Sequence, residues 1–133
     1  MCRCIRSNKF NIIGLQETLT PFGIKHVEGM ICVSSGTAAG HLGTAVWIDS
    51  ECPWTVVRRD GSTFETCLES ETVSMVFWDP RYMCVSFVVN GCTLYFISVH
   101  SPDSNKGYDV IVEFWSSLCG LLSKHRVVVP MKI

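Results

Sequence analysis

Most of the chain alternates between short apolar runs and clusters of turn-forming residues. The runs are rich in Val, Ile, Phe, Trp and Tyr, and Gly, Pro, Asn or Asp separate them. Runs of this kind predict β-strands. We expect a turn at Pro21-Phe22-Gly23 and strands at 11–16, 29–34, 44–49, 54–59, 71–78, 82–89 and 92–99. The dipeptide Asn90-Gly91 suits a type I′ turn, so the last two strands should form an antiparallel hairpin.

The hydrophobic period changes after residue 100. Apolar residues then recur at the i, i+3, i+4, i+7 spacing of one helix face: Tyr108, Ile111, Val112, Trp115, Leu118, Cys119 and Leu122. This spacing predicts an amphipathic helix over 107–124 that packs on a sheet. Asp109 at its start suits the helix dipole. Val127-Val128-Val129 is then expected to begin another strand. No internal repeat or linker divides the chain, so one domain is predicted.

Composition and charge indicate which classes of partner the chain is expected to bind. Of the 133 residues, 47% are hydrophobic and 17% are charged, against a typical charged share of about 25%. The net charge of −1 gives no electrostatic footprint for nucleic acid, because neutralising phosphates requires clustered Lys and Arg. No run approaches the roughly 18 apolar residues of a membrane-spanning helix, so no membrane span is predicted.

The eight cysteines form an even set, at positions 2, 4, 32, 52, 67, 84, 92 and 119. In a short secreted chain such a set suggests a disulfide framework. However, polar Ser7-Asn8-Lys9 stands where a signal peptide would carry its apolar stretch. A reduced intracellular protein is therefore predicted, without a distinction between nucleus and cytoplasm.

The run Asn11-Ile12-Ile13-Gly14-Leu15-Gln16-Glu17-Thr18 places a glutamate directly after an apolar strand. Mg²⁺ in phosphoryl-transfer sites is usually held by one or two carboxylates together with substrate phosphates. Glu17 is therefore a candidate metal ligand. The alternative is a solvated glutamate that follows a core strand.

Three short motifs in order support the first interpretation. Ile12 to Thr18 is followed by the glycine-rich segment 40–48 and then by a hairpin from Arg81 to His100-Ser101-Pro102. In these motifs the chain resembles the endonuclease/exonuclease/phosphatase superfamily of DNase I-like, metal-dependent phosphoesterases. It looks most like the endonucleases of non-LTR retrotransposons and apurinic-site endonucleases.

The resemblance implies roles for five residues. Glu17 would bind Mg²⁺, and Gln16 would orient Glu17 or a metal-bound water. His100 would contact phosphate or transfer a proton, with Asp79 as the carboxylate that orients it. Asn105 would contact the substrate. Asp79 before Pro80 is also a simple turn former, and Asn105 is also a turn or helix-cap residue.

Other superfamily elements have no counterpart in the sequence. These are the first strand with its Asn, the Gly-Asp-Phe-Asn element and the terminal Ser-Asp-His. The resemblance therefore covers 5–133 as the front part of an α/β domain, a partial α/β/β/α sandwich that lacks the first strand and the C-terminal half. Its expected function is that of a fragment of a Mg²⁺-dependent phosphoesterase, whose ancestral activity is endonuclease-like phosphodiester hydrolysis and which is inactive as this chain.

A second class of function is a non-catalytic remnant or a partner-binding module. A half-sandwich would leave an apolar sheet face exposed, lined by alternate residues of 71–78, 82–89 and 92–99, and would self-associate through it. A nucleic-acid partner follows from the family analogy alone, since DNA, RNA, inositol phosphates and sphingomyelin are all substrates within the superfamily. We also expect 11–16 and 92–99 to be neighbouring core strands that bring Glu17 and His100 to one rim of a sheet.

Overall fold

The computed structural model describes residues 10–127 except positions 39 and 41. Within these residues the chain forms nine strands, a 3-10 turn and one α-helix. The strands are β1 Ile12–Gln16, β2 Gly23–Val27, β3 Met30–Ser34, β4 Thr44–Asp49, β5 Trp54–Val57, β6 Thr63–Thr66, β7 Glu69–Asp79, β8 Tyr82–Val89 and β9 Cys92–Val99. The 3-10 turn is Ser104–Lys106 and the helix α1 is Tyr108–Lys124. The strand expected from Val127 onward falls almost wholly outside the described residues.

The strands form three antiparallel sheets. The first has the order β1-β4-β3-β2, the second is the ribbon β5-β6, and the third has the order β7-β8-β9. The described fold is thus mainly antiparallel β-sheet with one helix. The seven predicted strands are confirmed, and the hairpin turns at Asn90-Gly91 as expected.

Two strands, β2 and β6, were not predicted. The β2 sequence Gly23–Val27 contains Lys and His and is largely exposed, so it lacks the apolar alternation that identifies a strand. Its antiparallel pairing with the buried strand β3 holds it in the extended conformation that its own sequence does not predict. The short β6, Thr63–Thr66, is likewise held by its pairing with β5.

The core lies between the first and third sheets. Buried residues of β3 and β4 join buried residues of β8 in one hydrophobic cluster: Ile31, Val33, Val46, Ile48, Met83, Val85, Phe87 and Val89. The expectation of an uncovered apolar face on the third sheet is therefore wrong. The first sheet covers that face, because its own strands β3 and β4 present complementary apolar side chains.

The strands β1 and β9 lie in different sheets, so the expectation that they neighbour each other in one sheet is also wrong. They approach each other through their faces instead. A Cβ atom built on Gly14 would lie 3.2 Å from Cβ of Ser98 and 3.4 Å from Cε1 of Phe96. The missing side chain at Gly14 permits this approach.

Of the described residues, those up to Val99 form one compact unit, and those from His100 onward form a second. Within the second unit, α1 confirms the predicted helix, with Asp109 in its first turn and Lys124 in its last. Leu118 is buried. In the part of the chain that the structure describes, no helix has the length and apolar character needed to span a membrane.

Candidate metal and phosphate site

Glu17 leaves the end of β1 as an exposed residue in the left-handed backbone region. Its φ is 52°, and Leu19 two residues later has a φ of 51°. This conformation costs an L-residue roughly 1–2 kcal/mol. Residues held in sparsely populated backbone regions cluster at functional sites. Glu28, Leu42, Asn90 and Arg126 share this region, so the backbone of Glu17 supports a functional role only together with its place at the end of β1.

Gln16 ties the end of β1 to the end of β9. Its side-chain nitrogen Nε2 donates to the carbonyl oxygen of Val99 at 2.5 Å. The amide nitrogen of Gln16 is thus engaged with backbone, and it fixes the place where the chain turns out of β1. The structure gives Gln16 a positioning role, and its predicted contact with a metal-bound water stays a prediction.

The loop after β1 is held at a junction centred on Gly43. Thr18 N donates to Gly43 O at 3.4 Å, and Gly43 N donates to Pro80 O at 3.0 Å. The hydroxyl of Thr44 donates to the same Pro80 oxygen at 2.9 Å. Three segments therefore meet at one end of the first unit: the loop that carries Glu17, the glycine-rich loop before β4, and the turn between β7 and β8.

Gly43 is required at this junction for two reasons. Its φ of 112° lies in a region that side chains rarely adopt, and a Cβ atom there would lie 3.2 Å from both Gly36 O and Thr18 Oγ1. The glycine-rich segment identified in the sequence therefore has a physical role. It allows the backbone of three segments to approach closely.

Asp79 forms the turn in which Pro80 lies. Its Oδ1 atom accepts a hydrogen bond from Arg81 N at 3.0 Å, which is the behaviour of a turn-forming aspartate. Burial raises the pKa of Tyr82, and the negative charge of Asp79 raises it further. The structure thus shows Asp79 acting as a turn former. Its role in orienting His100 remains a prediction.

A network of hydroxyl groups supports the same junction, and no sequence pattern predicted it. Thr20 Oγ1 lies 2.8 Å from Ser34 Oγ, and Ser34 Oγ accepts from Gly36 N at 3.2 Å. Ser35 Oγ accepts from Thr44 N at 3.0 Å. Ser34, Ser35 and Thr44 are buried, so these bonds satisfy groups that would otherwise lose hydration. Such a network depends on residues far apart in sequence, and only the fold brings them together.

His100 and Asn105 belong to the second unit. His100 is its first residue and is partly buried, and Asn105 is exposed within the 3-10 turn. Asp103 occupies the N-cap position of that turn without a side-chain capping bond, and its carbonyl accepts from Lys106 N at 3.0 Å. The roles that the resemblance gives to His100 and Asn105 stay predictions.

A shallow depression opens beside Glu17, lined also by Leu19, Gly40 and Leu42. Among the described residues, no group of three or more His, Cys, Asp or Glu could hold a metal ion. A single carboxylate does not form a protein cage for a cation. It does fit Mg²⁺, which keeps several waters and binds through one or two carboxylates and the phosphates of a substrate.

Comparisons of the chain with known protein families, with characterised proteins and with solved structures found no match.

Proposed function

We propose that this chain carries the metal-carboxylate end of a Mg²⁺-dependent phosphoesterase of the endonuclease/exonuclease/phosphatase superfamily. In this proposal Glu17 binds Mg²⁺ together with the phosphate of a phosphodiester. The supporting observation is the conformation of Glu17: an exposed carboxylate at a strand end, in the left-handed region, on a loop tied to Gly43 and Pro80. The shared core of the two large sheets is compatible with a partial α/β/β/α sandwich.

The chemistry at Glu17 would be charge neutralisation. A Mg²⁺ ion there would offset phosphate charge and polarise the leaving oxygen of a phosphodiester. Arg81 follows Pro80, whose carbonyl oxygen accepts hydrogen bonds at the same junction, and a guanidinium recognises phosphate through paired hydrogen bonds. In this proposal Glu17 holds the cation and Arg81 contacts the anion.

Binding without turnover is the expected behaviour of the described residues. They supply one candidate carboxylate ligand, Glu17, and no cluster of three or more metal-binding side chains. Removing members of a catalytic set that acts as a unit costs orders of magnitude in rate. The proposal is therefore Mg²⁺–phosphodiester binding, with hydrolysis as the ancestral activity. Purified protein should cleave neither plasmid DNA nor a duplex with an abasic site above the level of Glu17→Ala.

Manganese provides the test of the metal site, because Mn²⁺ replaces Mg²⁺ and its free form gives a solution electron paramagnetic resonance signal. We expect the wild-type chain to remove one Mn²⁺ per molecule from that signal, with Mg²⁺ as a competitor and dimethyl phosphate as an enhancer. Glu17→Gln should abolish this binding. Glu65→Gln, the same change at an exposed position on β6, should leave it intact. Equal binding by Glu17→Gln and wild type would overturn the proposal.

A further inference from the structure

Cys52 and Cys67 flank the β5–β6 ribbon at the end opposite its turn. The last paired residues at that end are Trp54 and Thr66, so Cys67 follows the pair by one residue and Cys52 precedes it by two. Paired Cα atoms of antiparallel strands lie about 4.5–5.5 Å apart, and the Cα atoms of a disulfide usually lie about 4.4–6.8 Å apart. The ribbon therefore brings these two cysteines close to the spacing of a disulfide.

A side-chain contact joins the same two positions. Cys67 Sγ donates to the carbonyl oxygen of Glu51 at 3.7 Å. This carbonyl belongs to the peptide unit whose nitrogen is that of Cys52, and standard geometry places the oxygen about 2.8 Å from Cα of Cys52. Cys67 Sγ therefore lies within about 6.5 Å of that Cα atom. A thiol is a weak hydrogen-bond donor, so the Glu51 oxygen holds the Cys67 sulfur only weakly.

Tertiary contacts hold the backbone beside both cysteines. Asn11 Nδ2 donates to the carbonyl oxygens of Cys52 and Pro53, at 3.1 and 2.9 Å. Leu68, which follows Cys67, is buried in the hydrophobic core. The approach of the two cysteines is thus a property of the folded chain. A small reagent can reach them, since Cys67 is exposed and Cys52 is partly exposed.

We propose that Cys52 and Cys67 form a reversible disulfide site that is oxidised by a small-molecule disulfide such as glutathione disulfide. The Cys67 thiol loses its proton, and its sulfur attacks one sulfur of glutathione disulfide and releases one glutathione. The Cys52 sulfur then attacks the Cys67 sulfur of this mixed disulfide and releases the second glutathione. The two cysteines give up two electrons and two protons, which the two released glutathione molecules carry.

The bond would join the two strands of the ribbon at their open end. A disulfide restricts the unfolded chain, so oxidation should shift the midpoint of urea denaturation upward, and dithiothreitol should reverse the shift. In a reduced environment, which the sequence predicts, disulfides are transient and often sense redox state. The site would therefore convert the presence of an oxidant into a change in stability. None of its residues belongs to the proposed metal site, so the two proposals stand or fall separately.

Peptide mapping by mass spectrometry, after incubation of the purified chain with glutathione disulfide, tests the site. Trypsin cuts at the arginines of the ribbon turn and separates segment 26–58 from segment 60–81. We expect the two segments to be joined and to weigh two hydrogen atoms less than their reduced forms together. Cys52→Ser and Cys67→Ser should each abolish the link. Cys32→Ser provides the matched control, because Cys32 lies in the same segment as Cys52, and it should leave the link intact.

The same oxidation in denaturing urea shows whether the fold selects the pair. Because the wild-type chain is compared with itself, this arm does not depend on whether a variant folds. In urea Cys67 should lose its preference for Cys52, whereas in the folded chain the exposed Cys92 and Cys119 should carry glutathione. An equal preference in urea would overturn the site. A folded chain in which Cys67 carries only glutathione, or is joined as often to Cys32 or Cys92 as to Cys52, would also overturn it.

Discussion

Gly14 of β1 lies directly against Ser98 of β9, and a Cβ atom at Gly14 would stand 2.8 Å from Ser98 Oγ. The two residues belong to different sheets, so their contact joins the first sheet to the third. Two residues further along β1, Gln16 bonds to the carbonyl of Val99. The close approach at Gly14 therefore sets the position of the strand end from which Glu17 emerges.

Gly14→Ala should destabilise the first unit by about 1 kcal/mol. Added atoms in a packed site typically cost 1–3 kcal/mol, and the better strand propensity of Ala recovers about 0.5–1 kcal/mol. Urea denaturation measures the change. Gly120→Ala is the matched control, because a Cβ there meets nothing within 4 Å and the residue lies within α1. It should be neutral or stabilising by up to about 1 kcal/mol.

Ser98→Ala should relieve part of the cost of Gly14→Ala, since it removes the nearer of the two Ser98 atoms. The double mutant should show a favourable coupling of at least about 0.5 kcal/mol. Strictly additive effects would contradict the contact.

Gly43→Ala should destabilise the chain more than Gly23→Ala. Both glycines have positive φ, 112° and 134°, but a Cβ at Gly43 meets Gly36 O and Thr18 Oγ1, whereas one at Gly23 meets nothing within 4 Å. The backbone strain, on the order of 1–3 kcal/mol, is common to both substitutions. The difference between the two midpoints of thermal unfolding therefore reports the close approach. Equal midpoints would show that the junction tolerates a side chain.

Glu17→Gly and Glu17→Asn should stabilise the chain while they remove the proposed metal ligand. Glycine and asparagine adopt the left-handed region more readily than glutamate, so we expect a gain of up to about 1 kcal/mol by urea denaturation. A gain in stability with a loss of Mn²⁺ binding would show that strain at Glu17 is retained for function. A loss of stability in both variants would mean that the carboxylate itself stabilises the loop.

Stability should fall as the pH rises from about 9 to about 11. Burial raises the pKa of the Cys84 thiol from 9.0 to about 11, so the folded state holds this proton more tightly than the unfolded state. The contribution is complete below the unfolded pKa and disappears as the pH passes the folded one. Cys84→Val should flatten the alkaline part of the stability curve, whereas Cys92→Val, at an exposed position, should not. The same slope in both variants would exclude Cys84 as the source.

Most strands and the helix could be predicted, because the spacing of their apolar residues follows directly from which side chains are buried. β4 and β8 are almost continuously apolar, and α1 repeats at helical spacing. By contrast, β2 depends on its partner strand, and so no local pattern reveals it. The cover over β8 was also missed, because complementarity between two sheets is not a property of either sequence segment.

The candidate site likewise has features that could be predicted from the sequence and features that could not. Glu17 could be found from its place after an apolar strand, and Asp79-Pro80 could be identified as a turn. The left-handed φ of Glu17 and the hydroxyl network around Ser34 depend on tertiary contacts between distant segments. No spacing in the sequence encodes them.

Paramagnetic broadening of amide signals by Mn²⁺ is the sharpest test of the proposed metal site, because it locates the metal residue by residue. We expect substoichiometric Mn²⁺ to broaden the amides of Glu17, Thr18 and Gly43 first and excess Mg²⁺ to reverse the effect. Glu17→Gln should abolish the broadening, whereas Glu65→Gln should not. Broadening centred elsewhere, or unchanged broadening at these three amides in Glu17→Gln, would contradict a metal site at Glu17.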